Sequence, residues 1–241
     1  FKDYSAPGNA FDFSDKDGAV AFKNAPVFGT YMPDAIASHY YNGETYLFTA
    51  NEGDAREYAG FTEIKRLGTV MLDPVAFPTG AMLKTDAQLG RLNITTTLGD
   101  KDGDGDLDAI YSFGARSFSV WNASTGALVW DSKNELDVKS NELGVYDDGR
   151  SDDKGAEPEA ITIGRVGSKT VAYVGLERTD AVAVYDITDP TKPVFVKMFK
   201  TGDAPEGLLF IPASKSPIGQ SLVVVSSEND GVVKIYKANK L

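Results

Sequence analysis

The chain has 241 residues, with 35 acidic side chains against 24 lysines and arginines, for a formal net charge of -11. Hydrophobic residues at 42% and aromatics at 11% can bury a sizeable core, which excludes wholesale disorder. An acidic surface with no basic stripe excludes a nucleic-acid partner; no run of about 18 apolar residues offers a membrane span, and the lack of cysteine excludes disulfides, thiolate catalysis and cysteine-ligated zinc.

Phe1 is not preceded by methionine and opens no signal peptide, so the chain reads as a processed protein or a fragment. Its 24 glycines and 11 prolines punctuate short runs rich in β-branched and aromatic residues, a pattern of strands joined by turns. In chain order, strands are predicted over 45–50, 68–72, 92–96, 117–121, 170–174, 182–187, 221–225 and 232–236. No stretch holds a 3.6-residue apolar period through three turns, so helices should be few and short. The expected class is all-β.

Four tetrapeptides share one pattern of acid, small residue and branched apolar residue: Pro33-Asp34-Ala35-Ile36, Leu107-Asp108-Ala109-Ile110, Pro158-Glu159-Ala160-Ile161 and Pro205-Glu206-Gly207-Leu208. Each opens a strand-like run that a second strand follows. In three repeats the second strand ends in glutamate, at Glu52, Glu177 and Glu228, placed 18, 18 and 22 residues after the first acid. Asn122 stands there in the second repeat. Third strands are predicted over 67–72, 127–130, 181–186 and 232–236, and fourth strands over 92–96 and 194–199. Four such antiparallel units predict β-propeller blades starting near residues 34, 108, 159 and 206, within one domain over 1–241. Since antiparallel neighbours put the start of one strand beside the end of the next, Asp34 with Glu52, Glu159 with Glu177, and Glu206 with Glu228 should pair on one face near the axis.

The sharpest motif is Asp100-Lys101-Asp102-Gly103-Asp104-Gly105-Asp106-Leu107-Asp108. Carboxylates at positions 1, 3, 5 and 9 of a curled loop, with glycine at position 6, suit a hard cation such as Ca²⁺, which takes about six to eight oxygens. Asp100, Asp102, Asp104 and Asp108 would supply carboxylates and Asp106 its carbonyl. Position 12 is Tyr111 and a strand follows, so this is not an EF-hand. Asp108 is also the first acid of the second repeat; the loop role is favoured.

A second cluster mixes signs. Glu52, Asp54, Arg56, Arg150, Asp153, Lys154, Glu157, Glu159, Glu177, Arg178, Glu206 and Glu228 would share the acidic face. Interleaved carboxylates and cations suit either a metal-assisted phosphate site or an inert ion-pair network. The catalytic candidates are Glu52, Asp54, Arg56, Lys154, Glu159, Glu177, Arg178, Glu206 and Glu228. His39, the single histidine, excludes multi-histidine zinc sites and reads as a plain strand residue. Ser117 and Ser151 lack a nucleophile-elbow context.

At these motifs the chain resembles the choice-of-anchor I family of secreted or surface-attached proteins. The matching stretches include Tyr31-Met32-Pro33-Asp34-Ala35-Ile36-Ala37, Thr49-Ala50-Asn51-Glu52-Gly53-Asp54-Ala55-Arg56, Phe113-Gly114-Ala115-Arg116-Ser117, Arg150-Ser151-Asp152-Asp153-Lys154-Gly155 and Gly175-Leu176-Glu177-Arg178. The resemblance implies a propeller exported and held at the cell surface by varying anchors, in a family that includes phosphatase-labelled bacterial proteins and biomineral-associated surface glycoproteins. It also implies a missing N-terminal half.

The expected function is an extracellular, calcium-binding β-propeller with a structural or cell-surface interaction role. The alternative is a calcium-dependent phosphoesterase. Expected partners are the missing half or another chain completing the ring, and a surface, mineral or phosphate ligand. The last repeat offers three strands, which leaves an open edge that residues 19–28 could close.

Overall fold

The computed structural model describes residues 1–238. In chain order its strands begin with β1 (Lys2–Asp3), β2 (Phe28–Gly29), β3 (Ala35–Tyr41), β4 (Glu44–Ala50), β5 (Glu57–Tyr58) and β6 (Phe61–Thr62). They continue with β7 (Ile64–Arg66), β8 (Asn93–Thr95), β9 (Tyr111–Ser112), β10 (Phe118–Asn122), β11 (Leu128–Asp131) and β12 (Pro158–Val166). The last six are β13 (Lys169–Leu176), β14 (Ala181–Asp186), β15 (Val194–Lys200), β16 (Pro205–Ile211), β17 (Leu222–Ser227) and β18 (Val233–Lys237). The α-helices are α1 (Gly80–Leu83) and α2 (Glu135–Leu143), the latter ended by Gly144 in the left-handed region at φ 71°. The protein is all-β with few, short helices. Its described strands fall into five separate sheets, and no closed propeller is found among the described residues.

The chain divides into two compact units. The first comprises Phe1–Met32, Glu52–Ala115 and Asp147–Gly155, and the second Pro33–Asn51, Arg116–Tyr146 and Ala156–Leu241.

The second unit holds three sheets, in the orders β11-β10-β4-β3, β12-β13-β14-β15 and β16-β17-β18, with all neighbours antiparallel. The strand β12 lies beside both β3 and β16. Alternate residues of the middle sheet serve two cores, because successive side chains of a strand point to opposite faces. Ala172, Val174 and Leu176 of β13, with Ala183 and Tyr185 of β14, pack with Phe48, Phe118 and Leu136. Val171, Tyr173, Val182 and Val184 point the other way, onto Val223 and Val225 of β17. That double burial explains why this stretch reads as a continuous apolar run. The β3–β4 hairpin turns through Asn42 and Gly43, both at positive φ (50° and 91°), as a two-residue connection matched to strand twist requires.

The expected second blade does not form. Its strands β10 and β11 pair onto β4 and complete the sheet that β3 and β4 begin, so the described residues of the second unit hold three sheets where four units were expected along the chain. The tetrapeptide at Leu107 instead leads into the two-residue β9, which pairs with β2 and β8 in the first unit. There a five-stranded sheet, β1-β2-β9-β8-β7, covers a core that includes Tyr4, Phe11, Leu67, Leu92, Ile94 and Ile110. The strand predicted over 68–72 is replaced by a 3₁₀ turn at Leu67–Thr69, where the Gly68 amide donates to the Gly90 carbonyl at 2.7 Å. Residues 19–28 do not close the last sheet: Lys23 bridges Phe11, and Phe28 pairs with Asp3 and Tyr111. Among the described residues β18 pairs with β17 alone, as the three-stranded expectation for the last repeat required.

Candidate functional site

The tetrapeptide repeat survives as backbone geometry. Met32 (φ 39°), Glu157 (φ 52°) and Ala204 (φ 55°) hold left-handed conformations, and each precedes a proline and then an acid: Pro33-Asp34, Pro158-Glu159 and Pro205-Glu206. Non-glycine residues adopt that region at a cost. In the last two repeats the ladder then shifts register, between Pro158 and Ala160 and between Pro205 and Gly207, so Glu159 and Glu206 sit at the bulges. A bulge re-aims the side chain it carries.

In the second unit these acids gather. Carboxylate oxygens of Glu177, Glu206 and Glu228 lie within 4.8 Å of one another, as do those of Asp34 and Glu159. Burial and then the neighbouring Glu228 raise the Glu206 carboxyl above its ordinary value, with Asp34 adding to the effect and Arg178 opposing it. Arg178 Nη1 pairs with Glu177 at 2.9 Å, and its Nε lies 3.6 Å from the buried Glu157. Arg116 is buried in this unit, 3.8 Å from Asp137. His39 sits within β3 and burial lowers its value.

In the first unit, Glu52-Gly53-Asp54 makes a turn that only glycine fits. Gly53 has φ +91°, its amide donates to the Met32 carbonyl at 3.0 Å, and a Cβ would stand 2.0 Å from the Gly114 nitrogen. Lys154 is ion-paired with Glu52. The segment around them is stapled to β8: Asn93 donates from its backbone to the Asp152 carbonyl (2.9 Å) and from Nδ2 to Asp153 (3.0 Å). Asp153 also accepts from Arg150 Nη2 at 2.9 Å. Asp152 faces Arg66 and Arg91 at 2.9 and 3.0 Å, yet burial raises its carboxyl value. A cavity of about 130 Å³ is lined by Asp54, Asn93, Arg150, Asp153 and Lys154. Asp54 is exposed at its edge.

Arg56 takes part in a bidentate pair that sequence reading missed. Its Nε and Nη2 each lie 3.1 Å from a different oxygen of Glu63, which also accepts from the Arg56 amide (2.8 Å) and from Thr95 (2.8 Å). The Arg56 guanidinium, against opposing burial, holds the Glu63 carboxyl at about 2, below the ordinary 4.5. A carboxyl lowered on folding stabilises the fold above its ordinary value, and that stability is lost as pH falls through the folded one. The stability gap between wild type and Glu63→Gln should therefore shrink as pH falls from about 4.5 to 2. Urea titrations across that window check it; a gap that stayed constant would reject the assignment.

The aspartate loop is curled by its own side chains. Asp100 accepts from the amides of Gly103 (2.7 Å) and Gly105 (3.1 Å), Asp102 from Asp104 (3.3 Å), Asp104 from Asp106 (3.1 Å), and Asp108 from Lys101 (2.7 Å). Gly99, Gly103 and Gly105 supply the positive φ values. One carboxylate oxygen from each of Asp100, Asp102 and Asp108 lies within 4.8 Å of the other two. Two oxygens on one Ca²⁺ can be no more than about 5 Å apart at bond lengths of ~2.3–2.6 Å, so this donor set fits the ion. Asp104 and Asp106 stand outside the trio. Asp106 is raised by burial and then by Asp104 and other nearby acids.

Comparison with known proteins finds relatives of this chain. Gigasin-3a of Magallana gigas is 28% identical, over 66% of this chain and 68% of that protein. The mesenchyme-specific cell surface glycoprotein of Strongylocentrotus purpuratus is 24% identical over 81% of this chain, which spans 31% of the longer protein. A crystal structure of a functionally unknown protein from Desulfotomaculum acetoxidans aligns with 11% identity over 84% of this chain and 65% of that one, at a TM-score of 0.23 that establishes no shared fold. The family model of the choice-of-anchor I domain matches residues 1–190, which carry the Glu52-Gly53-Asp54 turn, the aspartate loop and the stapled Arg150–Gly155 segment. The chain belongs to the choice-of-anchor I domain family.

Proposed function

We propose that this protein is a calcium-binding module of the β-propeller type that works outside the cell as a structural or interaction element. The choice-of-anchor domain and the cell-surface glycoprotein relative point to an extracellular or cell-surface protein. Among the described residues no helix is long and apolar enough to cross a membrane.

The observation that carries the calcium reading is the convergence of Asp100, Asp102 and Asp108 on a loop whose amides are already turned inward to its carboxylates. The propeller reading is supported by three antiparallel sheets with β12 beside β3 and β16, and by the same left-handed residue, proline and acid opening each of them. The open edge of β18 favours a further chain or segment, such as an N-terminal half, that continues the sheet series. Calorimetric titration of the chelator-treated chain tests the calcium assignment. One Ca²⁺ per chain, lost in Asp100→Asn with Asp108→Asn, is expected; no saturable heat in the wild type overturns it.

A second reading, a calcium-dependent phosphoesterase, is favoured by one observation: Arg150 and Lys154 line a cavity beside Asp54 and Asp153. Its candidate residues divide between the units, with Glu52, Asp54, Arg56 and Lys154 in the first and Glu159, Glu177, Arg178, Glu206 and Glu228 in the second. Turnover of p-nitrophenyl phosphate that chelation abolishes would raise it above the binding role.

A further inference from the structure

A cavity of about 490 Å³ lies wholly in the first unit, and none of the residues assigned to calcium lines it. Its size falls within the range of small-molecule sites, about 300–1,000 Å³. Phe1, Tyr31, Met32, Leu98 and Phe113 form apolar walls, and the Arg56–Glu63 pair with Thr95 and Thr97 forms a polar side. A cavity with apolar faces and a few convergent, fixed polar groups is how proteins orient a small ligand.

The polar side is rigid. Glu63 is buried and takes Arg56 on both oxygens, Thr95 on Oε2 at 2.8 Å and Thr97 at 3.2 Å. Arg56 spends Nε and Nη2 on that carboxylate and is stacked against Phe61, with its guanidinium 5.6 Å from the ring centre. The two N–H groups on Nη1 have no acceptor among the described residues, and the side chain is 62% exposed. The site therefore offers donors whose charge is already neutralised by Glu63.

That neutralisation decides the ligand class. An anion would leave water for a pair with no net charge, on a protein of net charge -11, and would gain little. An uncharged oxygen acceptor would meet the Nη1 donors without that cost, and a flat ring would find Phe113 and Leu98 as its apolar wall. We infer that this cavity binds an uncharged small molecule that joins an apolar ring face to hydroxyl or carbonyl oxygens, in the manner of an aryl glycoside.

A matched pair of probes tests it, 4-methylumbelliferyl β-glucoside and 4-methylumbelliferyl sulfate, which share the ring and differ in charge. Calorimetry and ligand-observed NMR should find saturable binding of the glucoside at one site, with the sulfate at least tenfold weaker. Leu98→Trp, which fills the cavity from a partly exposed position, should abolish binding. Leu98→Gln, which removes a wall without adding bulk, should weaken it several-fold and serves if the tryptophan variant loses its far-ultraviolet spectrum. Arg56→Lys should cost the glucoside about tenfold while sparing any contact to the ring. The inference is overturned if neither probe saturates, if the sulfate binds as well as the glucoside, or if both Leu98 variants bind like wild type.

Discussion

Calcium should raise the melting temperature of this protein by about 5–10 °C, and chelation should reverse the rise. An ion that binds only the folded chain stabilises it by RT ln(1 + [L]/Kd), about 2.7 kcal/mol at a hundredfold excess over Kd. For a chain of this size each kcal/mol moves the midpoint by roughly 2–4 °C. The three aspartates whose oxygens converge set the order of effects. Asp100→Asn, Asp102→Asn and Asp108→Asn should each remove most of the response, whereas Asp106→Asn should keep it, because its side chain stands outside the trio. Asp108→Asn also tests whether this residue serves the loop alone. Scanning calorimetry with calcium and with EGTA reads all four. A wild-type midpoint indifferent to calcium would end the assignment, and so would equal losses in all four variants.

The largest single-residue effect should come from Gly53→Ala, roughly 3–5 kcal/mol, the upper range for point changes. Two costs add there. Alanine in the left-handed region is penalised by about 1–2 kcal/mol, and its Cβ would overlap the Gly114 backbone at 2.0–2.2 Å, a contact no rotamer change relieves. Gly43→Ala separates the two. Gly43 has the same φ of +91°, with nothing within 4 Å of the place a methyl group would take, so it should lose only the conformational share, about 1 kcal/mol. Urea unfolding of both variants gives the comparison. Equal losses would mean that the Gly114 contact carries no weight.

Some of this was written plainly in the chain. Pro158-Glu159 and Pro205-Glu206 announce the starts of β12 and β16 because proline fixes one dihedral and the acid ends up on a bulge. The short unbroken apolar runs 171–174 and 182–185, rich in β-branched residues, mark strands buried on both faces, in a sheet packed on both sides. Leu107-Asp108-Ala109-Ile110 misled for a physical reason. An acid followed by small and apolar residues also ends an aspartate loop, and Asp108 is held there by the Lys101 amide. Asn122, in the place of the expected glutamate, was the readable warning. The Arg56–Glu63 pair had a local signal too, since Gly60 at φ +90° turns the β5–β6 hairpin that returns the chain over seven residues. Asp152 meeting Arg66 and Arg91 had none, because those partners are 86 and 61 residues away in sequence.

The path of the chain sets a limit on how this domain can be cut and passed on. Each unit is assembled from three separated stretches, with crossings after Met32, Asn51, Ala115, Tyr146 and Gly155. A protease that nicks any one connection frees neither unit, since on at least one side of every such cut pieces of both units stay joined. The same holds at the level of the gene. A recombination breakpoint between residues 51 and 117 would hand one descendant β3 and β4 without the β10 that pairs with β4, and the other the reverse. Unlike tandem repeats, which can be gained or lost one at a time, this stretch is inherited whole.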